Sequence, residues 1–246
     1  MGVNWRGFGM SGQYNFSQMD ERPATDSFKT VLAIDTGSPV VSVAISIDGE
    51  IAAESNTEAR HSSSRLLEMI DDCLGQAGIE ARALDLLVGV RGPGSFTGLR
   101  VGLATLQGMR MALGIQASTI TTFQVLASLS SRRSQPAIAC VDALRDKWMT
   151  QEFDSGSFLE SEAAPQVWSA EDFAPLRSTC LIGFGISRLG SILDTGSEVT
   201  LVEPGPLASR TLSLLSSPAT FDWRTKSLSR PLYLSPPAVS RPLRST

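Results

Sequence analysis

The sequence predicts an α/β fold built from two like halves, each running βββαβα. Three observations carry this. An apolar run, 29–35, ends in Asp35, and a second, 137–142, ends in Asp142. Similar strand- and helix-like segments follow each in similar order. In the first half, the turn Gly92-Pro93-Gly94-Ser95-Phe96-Thr97-Gly98 joins a strand-like run to a helix-like run.

Residues 1–28 are rich in Gly, Ser, Asn, Gln and Met without periodicity, and read as an extension outside the fold. Order begins with Lys29-Thr30-Val31-Leu32-Ala33-Ile34-Asp35. A second strand, 40–47, and a third, 51–55, flank the hairpin signal Asp48-Gly49. A helix over 62–77 places Leu66, Ile70, Leu74 and Ala77 on one side, with Gly78 as its C-cap. The strand 86–90, the glycine turn and a helix over 99–113 complete the half.

That second helix has two faces. Gly98, Gly102, Thr105, Gly108 and Ala112 share an arc of roughly 120° at 100° per residue. Leu99, Leu103, Leu106 and Leu113 form the neighbouring face and read as core. A small-residue face lets another backbone come close, from its own domain or from a partner; spacing does not divide these cases.

In the second half, strands are expected at 137–142, 147–153 and 157–160, with Asp154-Ser155-Gly156 as a turn. A weak helix over 169–176, a strand at 180–182, Gly183-Phe184-Gly185, a helix over 186–193, a strand at 199–202 and a helix over 207–215 follow. From Ser216 the chain is polar and proline-rich, with an ordered strap expected from Pro231 and a loose end after it. The expected division is an extension (1–28), two subdomains (29–130 and 131–230) and a C-terminal strap and tail (231–246).

Composition bounds the chemistry. The 246 residues carry 21 basic and 25 acidic side chains, a net charge of −4, so no overall basic footprint for nucleic acid exists. Cys73, Cys140 and Cys180 are widely spaced, which fits a reducing cytoplasm and no disulfide framework. No apolar run reaches membrane length. The single histidine, His61, leaves no His pair for a metal and precedes a serine run where a capping or surface role is expected.

The glycine turn fits no standard catalytic loop. Gly98 is followed by Leu99 and Arg100, not the Lys-Ser/Thr of a Walker A loop. Thr97 stands where a dinucleotide fingerprint needs glycine, and Ser95 lacks the flanking glycines of a nucleophile elbow. Asp35 and Asp142 facing one another across a cleft, with Gly183 and Gly185 near an adenosine, would be the nucleotide-site arrangement of an ATPase or sugar kinase. The plainer alternative is that each aspartate bonds the turn backbone at its strand end. The turn Ala143-Leu144-Arg145-Asp146 has no glycine for close phosphate approach. Arg60, His61, Arg65, Glu68, Asp71 and Asp72 around the first helix form a solvated face or the rim of a helix-pair docking surface.

Several stretches together resemble the TsaB (YeaZ) family. They are Val31 to Thr36, His61-Ser62 with Arg65-Leu66-Leu67 and Met69-Ile70, Arg91 through Gly102, and Val141-Asp142-Ala143. The resemblance implies an actin-like, Hsp70-like ATPase fold of two βββαβα subdomains. It implies a non-catalytic paralogue of TsaD, required for threonylcarbamoyl modification of adenosine 37 in tRNAs reading ANN codons. TsaD would pair through the two N-terminal helices as a heterodimer, with TsaE joining a larger complex; a homodimer through the same surface is the family alternative. Contact with tRNA would come through the complex. No cofactor is implied for this chain alone, with ATP or ADP and Mg implied for the complex. Carried over by position, the interface would comprise Arg65, Leu66, Met69, Gly92, Pro93, Gly94, Ser95, Phe96, Thr97, Gly98, Arg100, Gly102 and Thr105. On that basis Gly102→Arg is expected to disrupt pairing. Asp35, Asp142, Gly183 and Gly185 would be remnants of a nucleotide site. The chain departs from the family in Ser63-Ser64 after His61-Ser62, in Arg145-Asp146-Lys147, and in its N-terminal extension.

Overall fold

The computed structural model describes residues 28–58, 62–130, 135–143, 146–155, 161–193, 198–215 and 231–233, with the side chains of 62–64 and 215 excepted. The expectations for residues 1–27, for Arg60 and His61, for the strand at 157–160 and for the tail after 233 lie outside these residues. Phe28, assigned by sequence to the extension, packs partly buried against the central core.

The first half opens with three antiparallel strands, β1 (Thr30–Asp35), β2 (Val40–Ile47) and β3 (Glu50–Glu58). Asp48 and Gly49 both take positive φ, 49° and 87°, which is what a tight hairpin between right-twisted strands requires. Helix α1 (Ser62–Ala77) leads to β4 (Leu86–Val90), which lies parallel to β1. Helix α2 (Phe96–Leu113) follows, then β5 (Gln116–Ile120), parallel to β4, and α3 (Thr122–Ala127). The sheet order is β3-β2-β1-β4-β5.

The second half repeats this topology. Strands β6 (Ala137–Asp142), β7 (Lys147–Phe153) and β8 (Gln166–Ser169) are antiparallel; β9 (Cys180–Gly183) lies parallel to β6, and β10 (Thr200–Val202) parallel to β9. The order β10-β9-β6-β7-β8 mirrors the first sheet strand for strand. Helix α4 (Leu207–Leu215) ends the described fold apart from residues 231–233.

Each half therefore carries one strand and one helix beyond βββαβα. The sequence shows this closing pair at 199–215 but not at β5 and α3. Two expected helices of the second half shrink to short 3-10 segments, Ala170–Phe173, which stops ahead of Pro175, and Ile186–Ser191. Trp148, Phe173 and Trp168 fill the outer face instead, in edge-on contacts with ring centroids 5.5 and 5.1 Å apart.

Strand alternation sorts the core into layers. In β1, Leu32 and Ile34 face α1 and α2, while Val31 and Ala33 face the centre. The central core joins both sheets and takes in α3 and α4, and the helices cross over. α4 packs on β1 and β2, with the Ala208 amide donating to Ser42 Oγ at 3.1 Å; α3 packs on β6. Arg210 of α4 donates to Ser128 Oγ, just past α3, at 3.1 Å and also to the Ser128 carbonyl. The closing helix of each half thus lies on the other half's sheet.

Candidate functional site

The glycine turn begins where β4 ends. The Arg91 amide donates to the Ile120 carbonyl at 2.9 Å, and the Ser95 amide donates to the Gly37 carbonyl at 2.7 Å. Ser95 caps α2, its Oγ accepting from the Gly98 amide at 3.2 Å. The turn is therefore wedged against the loop that follows β1. A Cβ on Gly98 would lie 1.9 Å from the Thr36 carbonyl oxygen, and one on Gly102 2.2 Å from Thr36 Oγ1. Close approach of Thr36, by its backbone at Gly98 and its side chain at Gly102, accounts for these two glycines. A Cβ on Gly108, two turns further on, meets nothing within 4 Å.

Asp35 is fully buried at the same loop. The Gly37 amide donates to its Oδ1 at 2.9 Å, while Oδ2 has no hydrogen-bond partner among the described residues. Burial pushes this carboxyl up to about 6, against the lowering pull of Ser38 and the Gly37 amide. Asp142, its counterpart at the end of β6, is engaged differently. Arg188 Nη2 pairs with its Oδ2 at 2.8 Å, and the guanidinium lies 5.1 Å from the centre of the Trp148 ring. Arg188 also donates to the Gly185 carbonyl at 3.3 Å. Gly185 sits at φ +72°, and a Cβ on Gly183 would fall 1.8 Å from the Cys140 carbonyl oxygen. These glycines too answer to contacts of their own chain. Among the described residues no group of three His, Cys, Asp or Glu side chains is placed to hold a metal.

The residues carried over as an interface divide by exposure. Leu66 and Met69 are 1% and 2% exposed and belong to the core under α1. Gly92, Pro93, Gly98 and Gly102 are buried as well, and Gly94 is half-buried. Arg65, Ser95, Thr97 and Arg100 are exposed; Phe96 and Thr105 are half-buried. Of the three residues carried over from α1, Arg65 is the one exposed to solvent; Leu66 and Met69 are not. Two side chains not identified from sequence lie outside: Leu67 of α1, 68% exposed, and Met111 of α2, 61% exposed. Leu67 stands out of phase with Leu66, Ile70 and Leu74, which was the available signal.

Residues 231–233 lie on the turn. The Leu232 amide donates to the Arg91 carbonyl at 2.8 Å, and its side chain packs against the central core. The Tyr233 ring sits 4.8 Å from Phe96, tilted 36°, and its hydroxyl oxygen accepts from Arg100 Nε at 3.2 Å. The Arg100 guanidinium in turn lies 3.8 Å from the centre of Phe96.

Residues 52–175 match the family described as TsaD, tRNA N6-adenosine threonylcarbamoyltransferase. The chain is 29% identical over 145 residues to the Escherichia coli protein named tRNA threonylcarbamoyladenosine biosynthesis protein TsaB, covering 57% of this chain and 63% of that one. It is 33% identical over 116 residues to the TsaB protein of Haemophilus influenzae, covering 46% and 49%. The chain thus spans less than two thirds of the length of these curated relatives. The solved structure of YeaZ from Pseudomonas aeruginosa superposes with a TM-score of 0.62 at 26% identity, over 76% of this chain and 90% of that one. The duplicated pair of mixed five-stranded sheets is the actin-like fold.

Proposed function

The chain belongs to the TsaD family, among its TsaB/YeaZ members, and from that premise we propose that it serves tRNA threonylcarbamoyladenosine formation as a non-catalytic subunit. In this reading it binds and activates TsaD as a heterodimer, TsaE joins the larger complex, and the product is the modified adenosine 37 of tRNAs reading ANN codons. Contact with tRNA, and any ATP or ADP with Mg, belongs to the complex. A homodimer through the same helices is the competing use of the surface.

The observation that supports this reading is the match of residues 52–175, which take in α1, the glycine turn and α2, to the TsaD family; Leu67 of α1 and Met111 of α2 are exposed apolar side chains on those two helices. Large apolar side chains left in water on adjacent helices are stabilised by a covering surface. A stand-alone ATPase or kinase is the less favoured reading, because Asp142 is paired with Arg188.

The test is reconstitution. This chain is mixed with its cognate TsaD, TsaE and TsaC, ATP, threonine, bicarbonate and unmodified tRNA, and modified adenosine is assayed with and without it. Modification that requires the chain upholds the reading. Equal modification in its absence overturns it, and Mg-ATP turnover by the chain alone, lost in Asp35→Asn, would establish the alternative.

A further inference from the structure

We propose that residues 231–233 form a strap that occupies the chain's own docking surface, with Tyr233 as a latch that must swing aside before a partner reaches Phe96 and Arg100. The proposal rests on the partner reading above.

The two strap residues are held unequally. Leu232 is tethered by its amide bond to Arg91 and by a side chain set against the core that joins both sheets. Its carbonyl also passes within 3.0 Å of where a Gly92 Cβ would stand. Tyr233, one residue on, is held among the described residues by a tilted ring contact with Phe96 and one hydrogen bond from Arg100, and is 38% exposed. A fixed tether beside a weakly held ring keeps the ring's local concentration high and its release easy.

The latch uses up what the first turn of α2 offers. Arg100 turns its guanidinium face onto Phe96 and its Nε onto Tyr233. Phe96 is covered by both. In the free chain a partner approaching this turn meets the Tyr233 ring in place of the two anchor side chains. A site that is open only part of the time binds with an apparent Kd raised by the inverse of the open fraction. A single ring contact and one exposed hydrogen bond make that fraction small but not negligible.

The experiment titrates the full chain, Tyr233→Ala and Tyr233→Phe into the TsaD-type subunit by calorimetry. Removing the latch is expected to tighten binding about threefold to tenfold, with Tyr233→Phe in between because it keeps the ring and loses the bond from Arg100. Unchanged or weaker binding by Tyr233→Ala, where the full chain binds, overturns the strap and leaves the partner reading standing. Failure of all three chains to bind overturns both. A measurement without partner separates them further. Phenylglyoxal should modify Arg100 faster in isolated Tyr233→Ala than in the full chain, and equal rates overturn the strap alone.

Discussion

The Thr36 hydroxyl donates to the Gly98 carbonyl at 2.7 Å across 62 positions of sequence. This bond, with the Ser95 amide on Gly37, fastens the start of α2 to the loop after β1. The side of α2 that touches Thr36 has no room for a Cβ in its first two turns. The glycine motif is in the first place an internal joint.

Substitutions along that joint should therefore grade with distance from Thr36. Gly98→Ala drives a methyl into a backbone carbonyl and is expected to cost about 3 kcal/mol in urea unfolding. Gly102→Ala meets the Thr36 side chain, which can rotate only by giving up its bond to Gly98, and should cost about 2 kcal/mol. Gly108→Ala meets open space and should stabilise by about 0.8 kcal/mol through helix propensity. Equal effects at the three sites would contradict the joint. For the same reason Gly102→Arg breaks the fold before it reports on pairing, and is not a probe of any interface.

Asp35 should make stability fall as pH rises through its folded value. Its carboxyl is raised from 3.8 to about 6 by burial. Between those values the native state holds a proton that the unfolded chain has released, so the stability slope with pH is negative there. Above about pH 6 the fold carries a buried carboxylate that the unfolded chain exposes to water. Asp35→Asn removes that charge and keeps an acceptor for the Gly37 amide. It is expected to be more stable than the parent at pH 7.5, by about 2 kcal/mol, with the gap closing near pH 4. Denaturant midpoints at the two pH values check this; a gap that does not change with pH rules it out.

What was legible in the sequence was local. Continuous apolar runs ending in aspartate mark β1 and β6, and Asp48-Gly49 marks the hairpin, because each depends on neighbouring residues alone. Helix α3 left no such trace. All six of its residues are buried, Thr122 and Gln124 included, so it has no polar face and no helical period. Strand β5, Gln116-Ala117-Ser118-Thr119-Ile120, is too polar to read as a strand without β4 beside it. At the candidate site, the glycines and Arg100 were visible as a motif, but which faces turn outward depended on tertiary packing. Leu66 and Met69 went to the core, and Leu67 was left in water. The pairing of Asp142 with Arg188 and of Tyr233 with Arg100 spans 46 and 133 positions, beyond any local pattern.

Leu67 and Met111 provide the probe that Gly102 does not. Neither side chain holds the fold together, since both point mainly into water. Leu67→Asp and Met111→Glu should leave the unfolding midpoint within about 0.5 kcal/mol of the parent, as exposed substitutions do. If α1 and α2 form the surface that meets the TsaD-type subunit, burying either charge against an apolar partner surface should weaken binding at least about tenfold. The acidic neighbours Glu68, Asp71 and Asp72 sharpen the contrast. A new acid beside them adds like charge, whereas Leu67→Lys adds the opposite charge and keeps an aliphatic stem, so it should be tolerated better. Titration of each variant, with sedimentation of the isolated chain alongside, separates loss of the heterodimer from loss of a homodimer. Full affinity in both acidic variants would move the interface off these helices.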